Sequence, residues 1–132
     1  MSHKVALFGE AEKGNFRSLL HFTALPAMAD TLGNPPDGSI GIHLAIQTLL
    51  FRYDLLFVRV EEEGFSHKDY HNGFKLLKRS EKAKKLSAIC IPGVGDYDLI
   101  QQASELCYRH QSILITTERD FYDYLTCFCN EA

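Results

Sequence analysis

Four short apolar runs, each followed by a stretch with helical patterning, constrain the fold of this chain more than any other feature. They are Lys4-Val5-Ala6-Leu7-Phe8-Gly9, Asp54-Leu55-Leu56-Phe57-Val58-Arg59-Val60, Leu86-Ser87-Ala88-Ile89-Cys90-Ile91 and Ser112-Ile113-Leu114-Ile115-Thr116-Thr117. Runs rich in β-branched and aromatic residues that alternate with helices are the pattern of βα units around a parallel sheet. Because each run is apolar nearly throughout, rather than at every second position, it predicts a strand covered on both faces. The expected fold is an α/β three-layer (αβα) sandwich. A single domain, residues 1–132, would hold a mainly parallel sheet of four or five strands in a Rossmann-like, flavodoxin-like order.

Composition agrees with that reading. The chain has 132 residues, 45% of them hydrophobic and 23% charged, with 14 Lys and Arg against 17 Asp and Glu and a net charge of −3. At this length a chain can bury roughly two-thirds of its unfolded surface, so its core needs no disulfide or structural metal. No apolar run approaches the roughly 20 residues of a membrane-spanning helix, and the run after Met1-Ser2-His3-Lys4 is too short for a signal-peptide core. The expectation is a cytoplasmic protein with no membrane partner. The four cysteines, Cys90, Cys107, Cys127 and Cys129, lie in apolar or helical patterns without a secreted framework, which suggests buried or free thiols. The acidic balance argues against nucleic-acid affinity driven by charge alone.

Between the helical stretches the punctuation is informative. From Glu10 to about Gly38 runs a long irregular segment, ending in Gly33-Asn34-Pro35-Pro36-Asp37-Gly38; loops of this length are usually functional or hide structure. Within it, 25–32 reads as a short helix, with Pro26 in its first turn and Gly33 past its end. A helix from near Ser39 places Ile42, Ala45, Ile46, Leu49 and Leu50 on one face. Ser66 and Asp69 stand at capping-box spacing before Tyr70, Gly73, Phe74 and Leu77. The connection 78–85 reads as mobile and basic. Seven of the 14 basic residues fall between Ser66 and Lys85, which reads as a solvated helix end complementing the dipole or as a phosphate-contact patch. A further helix from Asp96 turns Leu99, Ile100, Ala103, Leu106, Cys107 and His110 inward. The last, from near Thr117 with Asp120 at capping spacing, displays Phe121, Tyr124, Leu125 and Phe128.

Ligands of open parallel sheets bind outside the carboxyl ends of the strands, where loops converge and helix N-termini present free N–H groups. That rule selects Gly9, Glu10, Gly93, Gly95, Asp96 and Thr117 as candidate ligand-binding residues. Gly93 and Gly95 permit a sharp strand-to-helix turn whose backbone an anion can approach. Neither Pro92-Gly93-Val94-Gly95-Asp96 nor Gly9-Glu10-Ala11-Glu12-Lys13-Gly14 completes a dinucleotide fingerprint. No Gly-Lys-Ser/Thr loop for nucleoside triphosphates is present. Asp96 also has a bland role as a helix cap.

Glu10, Asp96 and Asp98, with Glu118 or Asp120 nearby, form a possible Mg²⁺ ligand set, since Mg²⁺ is held by one or two carboxylates plus water and substrate phosphate. A strand ending in Glu10 with a later Asp96-x-Asp98 resembles the Glu and Asp-x-Asp elements of TOPRIM domains. Thr117-Glu118-Arg119-Asp120-Phe121 after a strand resembles the late segment of PIN-type nucleases. Both resemblances imply metal-dependent phosphodiester chemistry and cover under a fifth of the chain. The chain departs from both patterns. Ala11 stands where TOPRIM has Gly, residues 92–95 separate the strand from the Asp pair, and the first strand lacks the PIN-type Asp. The resemblances therefore supply an alternative reading and not a family.

Other residues read more plainly. Glu61-Glu62-Glu63 is a solvated strand end or a second acidic wall. His67 and His71 share a helix face, but Asp69 lies off it, so they read as surface histidines. Cys127-Phe128-Cys129 has no partner pair for zinc, and Cys90 reads as core rather than nucleophile. The aromatic segments 16–22 and 121–128 either close the sheet edges or form an interface.

The leading expectation is a small module that binds an anionic ligand, a nucleotide or phosphorylated metabolite, or a protein partner, without catalytic apparatus. Gly93 to Asp96 would meet the ligand and the Glu10 to Gly38 loop would cover it. One alternative is a Mg²⁺-dependent phosphodiester hydrolase, the one reading with a nucleic-acid partner. The other is a homo-oligomeric scaffold joined through the aromatic tail.

Overall fold

The computed structural model describes residues 3–129; Met1-Ser2, and the side chains of Phe128 and Cys129, lie outside what it describes. The apolar runs become parallel strands β1 (Lys4–Gly9), β3 (Asp54–Arg59), β4 (Ala88–Cys90) and β5 (Ile113–Ile115), and β2 (Leu20–Phe22) is added within the long loop. The order across the sheet is β2-β3-β1-β4-β5, with β2 antiparallel to β3 and every other pairing parallel. β1 is the centre of the register, with Val5 opposite both Leu55 and Ala88.

Strand pleating sorts the apolar side chains into two layers. Val5, Leu7, Leu55, Phe57, Ala88 and Cys90 pack under α1 (Leu25–Leu32), α2 (Gly41–Leu50) and α5 (Glu118–Cys129). Ala6, Phe8, Leu56, Val58, Ile89 and Ile91 pack under α3 (His67–Arg79) and α4 (Tyr97–His110). Both faces are thus covered, which is why these strands read as continuous apolar runs and not as alternation. Each fully buried Leu or Phe contributes about 2 kcal/mol of transfer free energy.

Several local expectations change. β4 and β5 are three residues each, shorter than their apolar runs, because the flanking residues turn into loops. β2 carries no periodic signal because Leu20-His21-Phe22 is too short for one; the edge of β3 supplies its pairing. The capping box at Ser66 does not form. Ser66 Oγ instead accepts from the Glu62 N–H, and the Asp69 carboxylate accepts from the Glu61 N–H at 2.8 Å. The basic connection holds a 3₁₀ turn, Glu81–Ala83, with Ala83 buried. Ile100 and His110 are half-buried rather than core; burial, with Arg109 beside it, lowers the His110 pKa.

The aromatic segments largely close on the chain itself. Phe121, Tyr124 and Leu125 are buried in the layer that holds α2, with the Tyr124 ring edge-on to Tyr53, and burial pushes the Tyr124 hydroxyl pKa up to about 12. Phe22 is buried in β2, whereas Phe16 stays 41% exposed. Cys90 and Cys107 are buried free thiols, and burial drives both pKa values upward, which suits core residues. Among the described residues no helix is long and apolar enough to cross a membrane.

Candidate functional site

β1 lies between β3 and β4, and the helices that follow β1 and β4 pack on opposite faces. The crevice outside the carboxyl ends of β1 and β4 is therefore the place where an open α/β sheet ordinarily takes its ligand. Here the chain fills it. The Glu63 carboxylate accepts hydrogen bonds from the N–H groups of Glu10 at 2.8 Å, Ile40 at 3.0 Å and Gly41 at 3.0 Å. The Glu63 N–H in turn donates to the Glu10 carboxylate at 2.9 Å.

This reciprocal clasp follows from what α2 lacks. Its N-cap is Ile40, which has no side-chain acceptor, and Ser39 Oγ is turned back to donate to the Pro36 carbonyl. The open N–H groups of the first turn need an acceptor from elsewhere, and a carboxylate suits the positive end of the helix. Two glycines permit the approach: a Cβ on Gly9 would lie 2.8 Å from Gly41 Cα, and one on Gly41 would lie 2.7 Å from Gly9 Cα. The neighbouring Gly64, at φ +90°, sits so close to Gly93 that a Cβ would meet the Gly93 carbonyl at 2.6 Å. The Gly64 N–H donates to buried Tyr70 Oη at 2.7 Å, and burial drives that hydroxyl's pKa upward.

The predicted site residues are thus dispersed. Gly9 is buried against Gly41, and the Glu10 carboxylate is bound to the Glu63 N–H. Gly93 and Gly95 are exposed, Gly93 at φ +80°. Thr117 Oγ1 accepts from the Asp120 N–H at 3.2 Å and caps α5. Asp96 caps α4, with Oδ1 accepting from the Leu99 N–H at 3.0 Å, while Oδ2 lies 3.2 Å from His67 Nε2. The Leu99 N–H, with His67 beside it, holds the Asp96 carboxyl below its ordinary range. Glu10, Asp96 and Asp98 do not form one ligand set, since Glu10 faces a different cleft from the two aspartates. Among the described residues no three His, Cys, Asp or Glu side chains are grouped to hold a metal ion.

Open space lies instead beside α3. A cleft of about 540 Å³ between the first turns of α3 and α4 is lined by His67, Lys68, His71, Asp98, Leu99 and Gln102, with Asp96 at its side. His71 Nδ1 is 2.9 Å from Gln102 Oε1. A neighbouring cleft of about 730 Å³ shares His67 and Lys68 and reaches Glu10, Arg17, Glu61 and Asp69. The histidines read as incidental from sequence are therefore part of a constellation, because Asp96 and Gln102 arrive from α4. No spacing within α3 could have revealed that. Glu63 was missed for a related reason: among three consecutive glutamates nothing local marks the one that turns inward. The available signal was the uncapped start of α2.

Comparison of the chain with protein-family models, curated proteins and solved structures finds no match.

Proposed function

We propose that this chain is a Rossmann-like module that binds an anionic ligand of the nucleotide or phosphorylated-metabolite class, in the cleft between the first turns of α3 and α4. The observation that carries the reading is the mixed lining of that cleft. Lys68 offers a cationic group and His71, whose Nδ1 is turned to Gln102 Oε1, leaves its Nε2, while Asp98 offers an acceptor suited to ligand hydroxyls. An inorganic anion needs no carboxylate beside it; a phosphorylated molecule with sugar hydroxyls uses both kinds of group. The first turns of α3 and α4 add their positive dipole ends to the same space. A volume of about 540 Å³ also falls within the range of small-molecule sites. The order β3-β1-β4-β5 of the parallel strands is that of flavodoxin-like sheets, which supports the finer fold reading. Compared with the sequence expectation, the ligand moves off Gly9 and Glu10, whose surroundings Glu63 occupies.

The test is a thermal-shift screen with AMP, ADP, ribose 5-phosphate and inorganic phosphate. A ligand held at 100 times its Kd adds about 2.7 kcal/mol, which in a domain of this size raises Tm by roughly 10 °C. The reading expects a nucleotide or sugar phosphate to do so, and Lys68→Ala to remove most of the shift. No shift with any of the organic phosphates contradicts it.

A further inference from the structure

Arg17 lies in the loop between β1 and β2. It lines two clefts of about 730 and 700 Å³ that also hold Glu61 and Asp69, and a separate, smaller cleft of about 150 Å³ on the outer face of α3. The smaller cleft is lined by Arg17, Asn72, Lys75, Leu76 and Arg79, without a carboxylate among them. Asn72, Lys75 and Arg79 recur at helical spacing and so share one stripe of α3. Arg17 comes from the loop between β1 and β2 and faces that stripe.

Two features make this more than a scatter of surface charge. None of Arg17, Lys75 and Arg79 forms an ion pair with a described residue, although carboxylates elsewhere in the chain pair with Lys84, His21 and His67. Arg17 holds a left-handed backbone, φ +58°, which a non-glycine residue adopts at a cost and which Arg52, Lys85 and Gln111 also hold. The loop carrying it is also braced. The Arg59 guanidinium donates to the Gly14 carbonyl at 2.7 Å and lies 4.2 Å over the Phe16 ring. Like charges gathered around one concavity repel unless an anion joins them. The negative end of the α3 dipole, equivalent to about half a charge, offsets only a fraction of three cations.

We infer that Arg17, Lys75 and Arg79 form a binding site for a terminal phosphoryl group, with the Asn72 amide as a neutral donor. The site is separate from the α3/α4 cleft and does not depend on the reading of that cleft. Its volume admits one tetrahedral oxyanion with a few waters, since water occupies about 30 Å³ each in the liquid. Two arginines supply planar forks for phosphate oxygens, and the lysine supplies a point charge.

The experiment is a titration of the ¹⁵N-labelled protein with inorganic phosphate, followed through backbone amide and arginine Nε–H signals. Acetate at matched ionic strength and a single-stranded oligothymidylate without terminal phosphates serve as comparators. The expected result is saturable movement of the signals of Arg17, Asn72, Lys75 and Arg79 with phosphate and none with acetate. Lys75→Ala and Arg79→Ala should each weaken binding about tenfold, the loss of one charge-assisted hydrogen bond. Arg17→Gly, which keeps the left-handed backbone and removes the side chain, should do the same. Lys68→Ala should leave it unchanged, so failure of the α3/α4 cleft reading is seen separately. The inference is overturned by the absence of saturation, by binding that survives Lys75→Ala/Arg79→Ala together, or by tighter binding of the oligothymidylate than of phosphate.

Discussion

The crevice at the carboxyl ends of β1 and β4 and the clefts beside α3 lie within a few residues of each other along the chain, yet they differ in how their polar groups are used. In the crevice, Glu63 takes three backbone N–H groups, Glu10 takes a fourth and Tyr70 a fifth, and glycines bring the backbones into contact. Beside α3, Lys68, Lys75, Arg17 and Arg79 face open space without ion-pair partners among the described residues. Topology therefore marks where a ligand site can form in this fold, whereas cations without ion-pair partners mark where the proposed sites lie. A carboxylate at the α2 N-terminus occupies the position an external anion would otherwise take.

The largest expected effect breaks the closed side of this comparison. Glu63→Ala leaves the Glu10, Ile40 and Gly41 N–H groups without their acceptor, at a cost of about 3 kcal/mol. Urea denaturation checks this, and a loss below about 1 kcal/mol would mean that water replaces the clasp. Next, Gly41→Ala forces its Cβ against Gly9, 2.7 Å from its Cα, and should cost about 2 kcal/mol. On the open side, Lys68→Ala should leave unfolding within about 0.5 kcal/mol of the parent chain, as surface substitutions do. The same variant should weaken nucleotide binding about tenfold in calorimetric titration.

The smallest effect concerns Asp96. Asn caps a helix nearly as well as Asp, so Asp96→Asn should lower Tm only slightly at neutral pH. The sign of its pH dependence is fixed, because the Leu99 N–H and His67 hold the carboxyl below its ordinary range. Ionised Asp96 then favours the folded state above about pH 4, and that advantage disappears as pH falls through the lowered folded-state value. Parallel thermal melts of the two proteins from pH 7 to pH 2 should therefore converge on the acid side.

What the residues revealed in advance follows the range of the forces involved. The four parallel strands, the 25–32 helix with Pro26 and Gly33 at its ends, and the Asp96 and Thr117 caps all rest on local geometry, and each is present. Strand ends, β2 and the failed cap at Ser66 depend on partners elsewhere in the chain. The site was legible only at its edges. Asp96 and Asp98 do line a cleft, but its other wall comes from His67, His71 and Lys68, which α3 brings from a different βα unit. Glu63 takes its place from a distant uncapped helix, and the left-handed backbone of Arg17 likewise has no periodic signature.

A map of backbone amide shifts during titration with ADP separates the α3/α4 cleft from the crevice that Glu63 occupies. Lys68, His71, Asp98 and Gln102 should move and saturate together, while Glu10, Ile40 and Gly41 stay in place. Saturating movement of Glu10, Ile40 and Gly41 would contradict the placement of the ligand in the α3/α4 cleft, because the ligand would then be displacing Glu63 from the crevice.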